Sequence, residues 1–174
     1  MKHLLPFLLT LLLTVSSFVS DATPYSLPNL RRQYQKAATS KDAGEKFDKL
    51  MSAYTQRDAV VLAYKAAAEA IRARDASMLN KLTYVQNATK QFDQAVKLDA
   101  NNAEIRFLRL SVESNLPAFL GLSPHVDEDR QFLRNTLLQH PNSGLDPESF
   151  GLVRDFMVGR GHVSDADAQK LTQL

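Results

Sequence analysis

Apolar residues recur along most of the chain at the three- and four-residue spacing of one helix face. The clearest stretch is 78–116, where a polar turn at 99–102 separates two such stripes. The first stripe consists of Leu82, Val85, Ala88, Phe92 and Ala95, and the second of Ile105, Leu108, Val112 and Leu116. Two apolar helices joined by a short turn cannot bury their faces alone, so we predict that the rest of the chain covers them.

The same periodicity predicts five or six further helices, each preceded by a residue that favours helix starts. The predicted N-cap residues are Ser40, Asp58, Ser123, Asp146 and Ser164. The helix expected over residues 59–74 is apolar nearly all round and rich in alanine, so we expect it to be among the most buried. No segment shows the alternating pattern of a convincing strand.

The N-terminus has the layout of a secretory signal peptide. Lys2 and His3 form a basic start, an apolar run follows from Leu4, and Ala22 offers a cleavage point after small residues. The apolar run is shorter than the roughly 20 residues of a membrane span. We predict a signal peptide over residues 1–22 and a single all-helical domain over 23–174, without an integral membrane span after cleavage.

Composition narrows the class of protein further. The formal net charge is only +2, which favours neither nucleic acid nor an acidic surface as an obligatory partner. The chain contains no cysteine, which excludes disulfides and a lipoprotein anchor. We therefore expect a periplasmic or secreted protein, stabilised by the core that its 44% hydrophobic content supplies.

The end of the first helix in 78–116 resembles half of one tetratricopeptide repeat. Ala88, Phe92, Ala95 and Ala100 lie at offsets 0, 4, 7 and 12, where that repeat carries Ala, an aromatic residue, Ala and Pro. Alanine stands here in place of proline. The preceding helix lacks the expected residues, because Arg72, Asp75, Ala76 and Leu79 occupy the Trp, Leu, Gly and Tyr positions.

A second resemblance, carried by residues 103–121, is to uncharacterised exported helical proteins of the Bacteroidota; it implies no activity. Together these observations predict an all-α fold of seven to eight short-to-medium helices packed as antiparallel hairpins. The array is either tetratricopeptide-like or an irregular bundle. The first resemblance implies peptide binding on a concave face lined by the first helix of each hairpin.

Arg106 and Arg109 are the first candidates for binding. They lie with Glu113 on one side of an otherwise apolar helix. One hypothesis is that they line a groove and hold a partner's carboxylate. The alternative is a structural ion pair with Glu104 or Glu113 that bridges helices.

Residues 115–122 form an unusually apolar loop, and Phe119 is the third candidate partner-binding residue. Such side chains either plug the end of the bundle or present an exposed anchor to a partner. The first interpretation is favoured, and replacing Phe119 with alanine separates the two.

We predict no catalytic residue, metal ligand or cofactor. His125 precedes the acids at 127–129, but their spacing matches no ligand motif and acids are expected in a first helical turn. We interpret these acids as a solvated helix start. The chain contains no cysteine nucleophile, nucleophile elbow or glycine-rich phosphate loop.

The function expected from the sequence is a non-catalytic interaction or scaffold module of the bacterial envelope. Its partner would be another envelope protein or a peptide, and not nucleic acid. The alternative is a helical-bundle carrier of an apolar small ligand, with a cavity between the third, fourth and fifth helices. A large enclosed apolar cavity would favour the carrier.

Overall fold

The computed structural model describes residues 23–174, which contain eight α-helices, one short 3₁₀ helix and no strand. The predicted signal peptide, residues 1–22, lies outside the described residues. The helices are α1 (Leu27–Thr39), α2 (Lys41–Ser52), α3 (Ala59–Asp75), α4 (Met78–Leu98), α5 (Ala103–Glu113), the 3₁₀ helix (Ala118–Leu120), α6 (Val126–Leu138), α7 (Pro147–Gly159) and α8 (Asp165–Leu171). The predicted all-α class is confirmed, whereas regular hairpin packing and likeness to the tetratricopeptide repeat stay predictions.

One cluster of buried side chains extends through the protein, from Leu30 in α1 to Leu171 in α8. α3 lies at its centre and contacts α1, α2, α4 and α5. Its buried alanines allow these neighbours to approach closely, and its predicted high burial is confirmed. α5 is more buried still, because nine of its 11 residues are buried, including four charged ones.

Most of the predicted helix starts are confirmed by their capping bonds. Side-chain oxygens accept hydrogen bonds from first-turn N–H groups in four cases, which are Ser40, Asp58, Asp146 and Ser164. The start at Ser123 is wrong, because α6 begins at Val126. Ser123 Oγ instead donates to the carbonyl oxygen of Glu113 at 2.8 Å, and the backbone N–H of His125 donates to the Glu113 carboxylate. These bonds hold residues 123–125 against the end of α5.

α4 follows its predicted stripe only from Val85 onwards. Val85, Ala88, Phe92 and Ala95 are buried, but Leu82 is 45% exposed, so its assignment to the core is wrong. Seven consecutive residues, 77–83, are exposed. α5 ends at Glu113 rather than at residue 116, and with 11 residues beside the 21 of α4 it is too short to cover both ends of that helix.

The contacts of α5 show which elements lie at the same end of the protein. Arg106 Nε donates to the carbonyl oxygen of Ala100 in the turn, and Arg109 Nη1 lies 3.7 Å from Asp93 Oδ1 of α4. α5 therefore runs back along α4, away from that turn. As a result, the loop that follows α5 and the first turns of α4 lie towards the same end of the protein.

Candidate functional site

The two arginines of α5 are buried and bind a carboxylate of α6. Asp129, which is 0% exposed, accepts hydrogen bonds from Arg109 Nε and Nη2 at 2.7 Å each and from Arg106 Nη1 at 2.9 Å. Arg106 Nη1 also donates to Glu128, and this bond lowers the pKa of Glu128. Asp93 of α4 lies beside Arg109, so two cations and three carboxylates connect α4, α5 and α6.

The two arginines predicted to bind a partner are buried inside this network. Arg106 is 8% exposed and Arg109 only 2%, and both guanidinium groups already hold an internal carboxylate. The bridging alternative named the wrong carboxylates, because Glu104 binds Arg31 and Glu113 binds His125. A partner's carboxylate would have to displace Asp129, and binding by these two arginines stays a prediction.

The interpretation of residues 127–129 as a solvated helix start is wrong for one of the three acids. The side chain of Asp127 is 94% exposed and that of Glu128 is 57% exposed, but Asp129 is fully buried. A helix turns by about 100° per residue, so consecutive acids point to different sides. Asp129 points towards α5, where the two arginines neutralise its charge.

A second buried network joins α1, α3, α5 and α7 around Arg31, which is 4% exposed. Arg31 donates to both carboxylate oxygens of Glu104, from Nε at 2.9 Å and from Nη2 at 2.7 Å. The hydrogen bond to Glu104 raises the pKa of the guanidinium group. Tyr64 Oη donates to Glu104 at 2.6 Å, and burial raises the pKa of this phenol.

Arg31 also binds the start of α7. Its guanidinium N–H groups donate to Asp146 Oδ2 at 3.0 Å, to Glu148 Oε2 at 2.9 Å and to Ser149 Oγ. Partial burial opposes ionisation of Asp146, but hydrogen bonds from Ser149 and Arg31 outweigh it and lower its pKa to about 2. One arginine thus neutralises part of the negative charge of three carboxylates and fastens α7 to the core.

The network around Arg31 was not predicted from the sequence. One signal was present, because Arg31 lies four residues after Leu27 and three before Tyr34 and so shares their inward-facing side of α1. Its partners carry no such signal, since Glu104 and Asp146 lie 73 and 115 positions away.

The described histidines contact protein groups rather than one another. His125 Nδ1 lies 2.9 Å from the buried Glu113 carboxylate, which also accepts the His125 backbone N–H. The rings of His140 and His162 pack on Phe150 and Phe156. Within residues 23–174, no three histidine or acidic side chains are grouped as metal ligands would be.

Large apolar side chains are exposed where the loop after α5 and the first turns of α4 lie. Met78 is 84% exposed, Leu79 90% and Leu82 45%, and Phe119 of the 3₁₀ helix is 87% exposed. The interpretation of Phe119 as a plug is therefore wrong, although Leu116, Leu120 and Leu122 of the same loop are partly buried. We call residues 77–83 together with 116–120 the apolar end.

The open clefts on the surface of the described residues include two that are lined largely by polar and charged side chains. One, of about 330 Å³, lies between α2, α3 and α4 and is lined by Lys41, Glu45, Asp48, Arg72 and Asp75 among others. The other, of about 340 Å³, lies beside α1 and α2 and is lined by Gln33, Lys36, Asp42, Ala43 and Lys46. Neither lies between α3, α4 and α5, where a carrier cavity was expected.

No protein-family model, curated protein or solved structure matches this chain. Among the described helices, none combines the length and apolar composition needed to cross a bilayer.

Proposed function

We propose that this chain is an exported, non-catalytic interaction module of the bacterial envelope, and that it binds another envelope protein or a peptide at the apolar end. The observation that carries the proposal is the exposure of Met78, Leu79, Leu82 and Phe119 towards one end of the protein. Large apolar side chains exposed together at one end of a protein are typical of an interaction site.

The surroundings of the apolar end support the proposal, because they hold it in place before a partner arrives. Beyond the exposed turns, α4 is anchored by the buried Val85 and Phe92. The chain on the far side of the loop is tied to α5 through Ser123 and His125, which both bind Glu113. A surface that is already ordered loses less entropy on binding, so more of its contact energy contributes to affinity.

The interaction module is better supported than the carrier. The clefts described above are open and carry several charged side chains, whereas sites for apolar ligands are mostly apolar and enclosed. Ala67 of α3, Phe92 and Ala95 of α4, and Leu108 of α5 are completely buried and belong to one core cluster. Packing of this kind leaves the exposed apolar residues as the stronger candidates for binding.

The test is site-specific photo-cross-linking in the envelope of the native host. A photoreactive phenylalanine analogue replaces Leu79 or Phe119 in the full chain, one position at a time. The matched control places the same analogue at Leu98, which is 51% exposed but lies at the opposite end of α4.

We expect one defined protein adduct from positions 79 and 119 and none from position 98. The adduct should disappear when Leu82, another exposed residue of the apolar end, is replaced by serine, because the proposed contact surface includes Leu82 as well as the cross-linking positions. Equal cross-linking from all three positions, or none from 79 and 119, would refute the proposal.

A further inference from the structure

We infer that the segment bound at the apolar end is acidic as well as apolar, so that its carboxylates meet Lys81 and the positive start of α4 while its apolar side chains cover Met78, Leu79 and Leu82. This inference rests on the proposed function and specifies the chemistry of the partner. Each of its steps follows from charge and exposure at the apolar end.

The first step concerns the charges of the two segments that form the apolar end. Residues 76–92 contain no aspartate or glutamate but carry Lys81 and Lys90. Residues 114–126 contain no lysine, arginine, aspartate or glutamate. These two segments therefore carry no acid of their own. The cleft beside Asn80 does contain acids, of which Asp48 and Asp75 pair with Arg72 and Arg74.

The second step concerns Lys81, which lies one helical turn after Met78 and next to Leu82. Within the described residues, its ammonium group has no carboxylate within 4.0 Å, whereas several other cations of the protein do. The nearby Asp75 carboxylate is bound by Arg74 Nε at 3.1 Å and Nη2 at 2.7 Å. Lys81 is thus available to an acid from outside.

The third step concerns the field at the start of α4. The N-cap residue Ser77 makes no side-chain capping bond, and the first turn contains no acidic residue. Unsatisfied N–H groups at a helix start carry a partial positive charge that favours a nearby anion. This field adds to that of Lys81 at the same place and has the same sign.

A second copy of this chain fits the apolar end less well. A two-fold symmetric contact brings the same surface of each copy together, so Lys81 would face a surface that also contains no carboxylate. An anionic membrane fits less well too, because sequences that bind anionic lipids electrostatically carry clusters of about four to eight Lys or Arg. The apolar end carries one lysine, Lys81.

The probes are two synthetic amphipathic peptides of about five helical turns, one built from leucine and glutamate and the other from leucine and lysine. Binding to the purified protein is measured by fluorescence anisotropy. We expect the Leu/Glu peptide to bind and the Leu/Lys peptide to bind at least about tenfold more weakly, because like charges at an interface repel.

Lys81→Glu should weaken the Leu/Glu peptide about tenfold and strengthen the Leu/Lys peptide. An acid in this position complements the helix dipole, so the thermal unfolding midpoint of the variant should not fall. The matched charge reversal is Arg57→Glu, an exposed cation in the linker between α2 and α3, at the other end of α3. Binding by that variant should remain unchanged.

Several results would overturn the inference. Failure of both peptides to bind, equal binding of the two, or indifference of both to Lys81→Glu would each contradict an acidic partner. Binding to phosphatidylglycerol vesicles that Leu79→Ser abolishes, without binding of the Leu/Glu peptide, would assign the apolar end to a membrane. Concentration-dependent dimerisation abolished by Leu79→Ser would assign it to a second copy.

The cross-linking experiment separates this inference from the proposed function. If the adduct from position 79 survives Lys81→Glu, the partner is not held by acidic residues, and the interaction module stands without the inference. If position 79 gives no adduct in the wild-type background, the proposed function itself fails.

Discussion

Replacing Asp129 with asparagine removes one buried negative charge and hardly changes the size of the side chain. In the folded protein, this carboxylate is 0% exposed and accepts three hydrogen bonds from Arg106 and Arg109. After the replacement, the nearest carboxylate oxygens to Arg109 would be those of Asp93 at 3.7 Å and Glu128 at 3.9 Å. Both lie beyond hydrogen-bond distance, so a buried cation would lose its carboxylate partner.

The expected cost follows from the burial of this pair. Removing one partner of a buried ion pair destabilises a protein by about 3–5 kcal/mol, because the remaining charge stays desolvated. Asparagine keeps one acceptor oxygen and Arg106 keeps Glu128, so we expect the lower part of that range, about 3 kcal/mol. In a domain of this size, such a loss lowers the unfolding midpoint by about 6–12 °C.

The assay is urea unfolding followed by circular dichroism at 222 nm, with the free energy of unfolding compared at equal slopes. The matched control is Asp127→Asn, the same chemical change two residues earlier on α6. The Asp127 side chain is 94% exposed and pairs with Arg130. Its loss should cost less than about 1 kcal/mol, because solvent screens such a pair.

If both variants lost a similarly small amount of unfolding free energy, the buried network would be refuted, since Asp129 would then behave as a solvated acid. A double-mutant cycle with Arg109→Gln gives a second check. Buried partners should show a coupling of at least about 1 kcal/mol, and strictly additive effects would contradict the direct bonds between the two side chains.

Three further predictions use the same unfolding assay. The pKa of Asp146 is lowered from 3.8 to about 2 in the folded protein. Its ionised form therefore stabilises the protein above the ordinary pKa, and this stabilisation is lost as the pH falls towards 2. Asp146→Asn should flatten the dependence of the unfolding free energy on pH in this range. Tyr64→Phe removes the 2.6 Å bond to Glu104 and should cost about 1.5–3 kcal/mol, whereas an effect near zero would mean that Glu104 does not need this donor. Phe119→Ala should change stability by less than about 0.5 kcal/mol because the ring is 87% exposed, and a loss of several kcal/mol would restore its role as a plug.

The helices were predictable because their signals are local. Periodic apolar residues and capping groups act within about four positions, so the starts at Ser40, Asp58, Asp146 and Ser164 follow from neighbouring residues. The start of α6 was misassigned for a non-local reason. Bonds from Ser123 and His125 to Glu113 hold that segment outside the helix, and nothing near Ser123 in the sequence indicates them.

The candidate site was less predictable, because it depends on which polar groups the fold buries. Asp127 and Asp129 have the same chemistry and lie in the same helical turn, yet one is exposed and the other is fully buried against α5. The sequence marked Arg106 and Arg109 as unusual on an apolar helix. Whether a partner or α6 neutralises them was decided by the position of α6.

By itself, the sequence determined the all-α class and most helix starts, because these depend on side-chain spacing and capping along one segment. The tertiary structure decided the rest. It placed Arg31 beside carboxylates 73 and 115 positions away, and it left Met78, Leu79 and Leu82 exposed beside a helix too short to cover them. Burial is a property of packed neighbours, so residues of one type become core, ion pair or candidate interface only when the helices assemble.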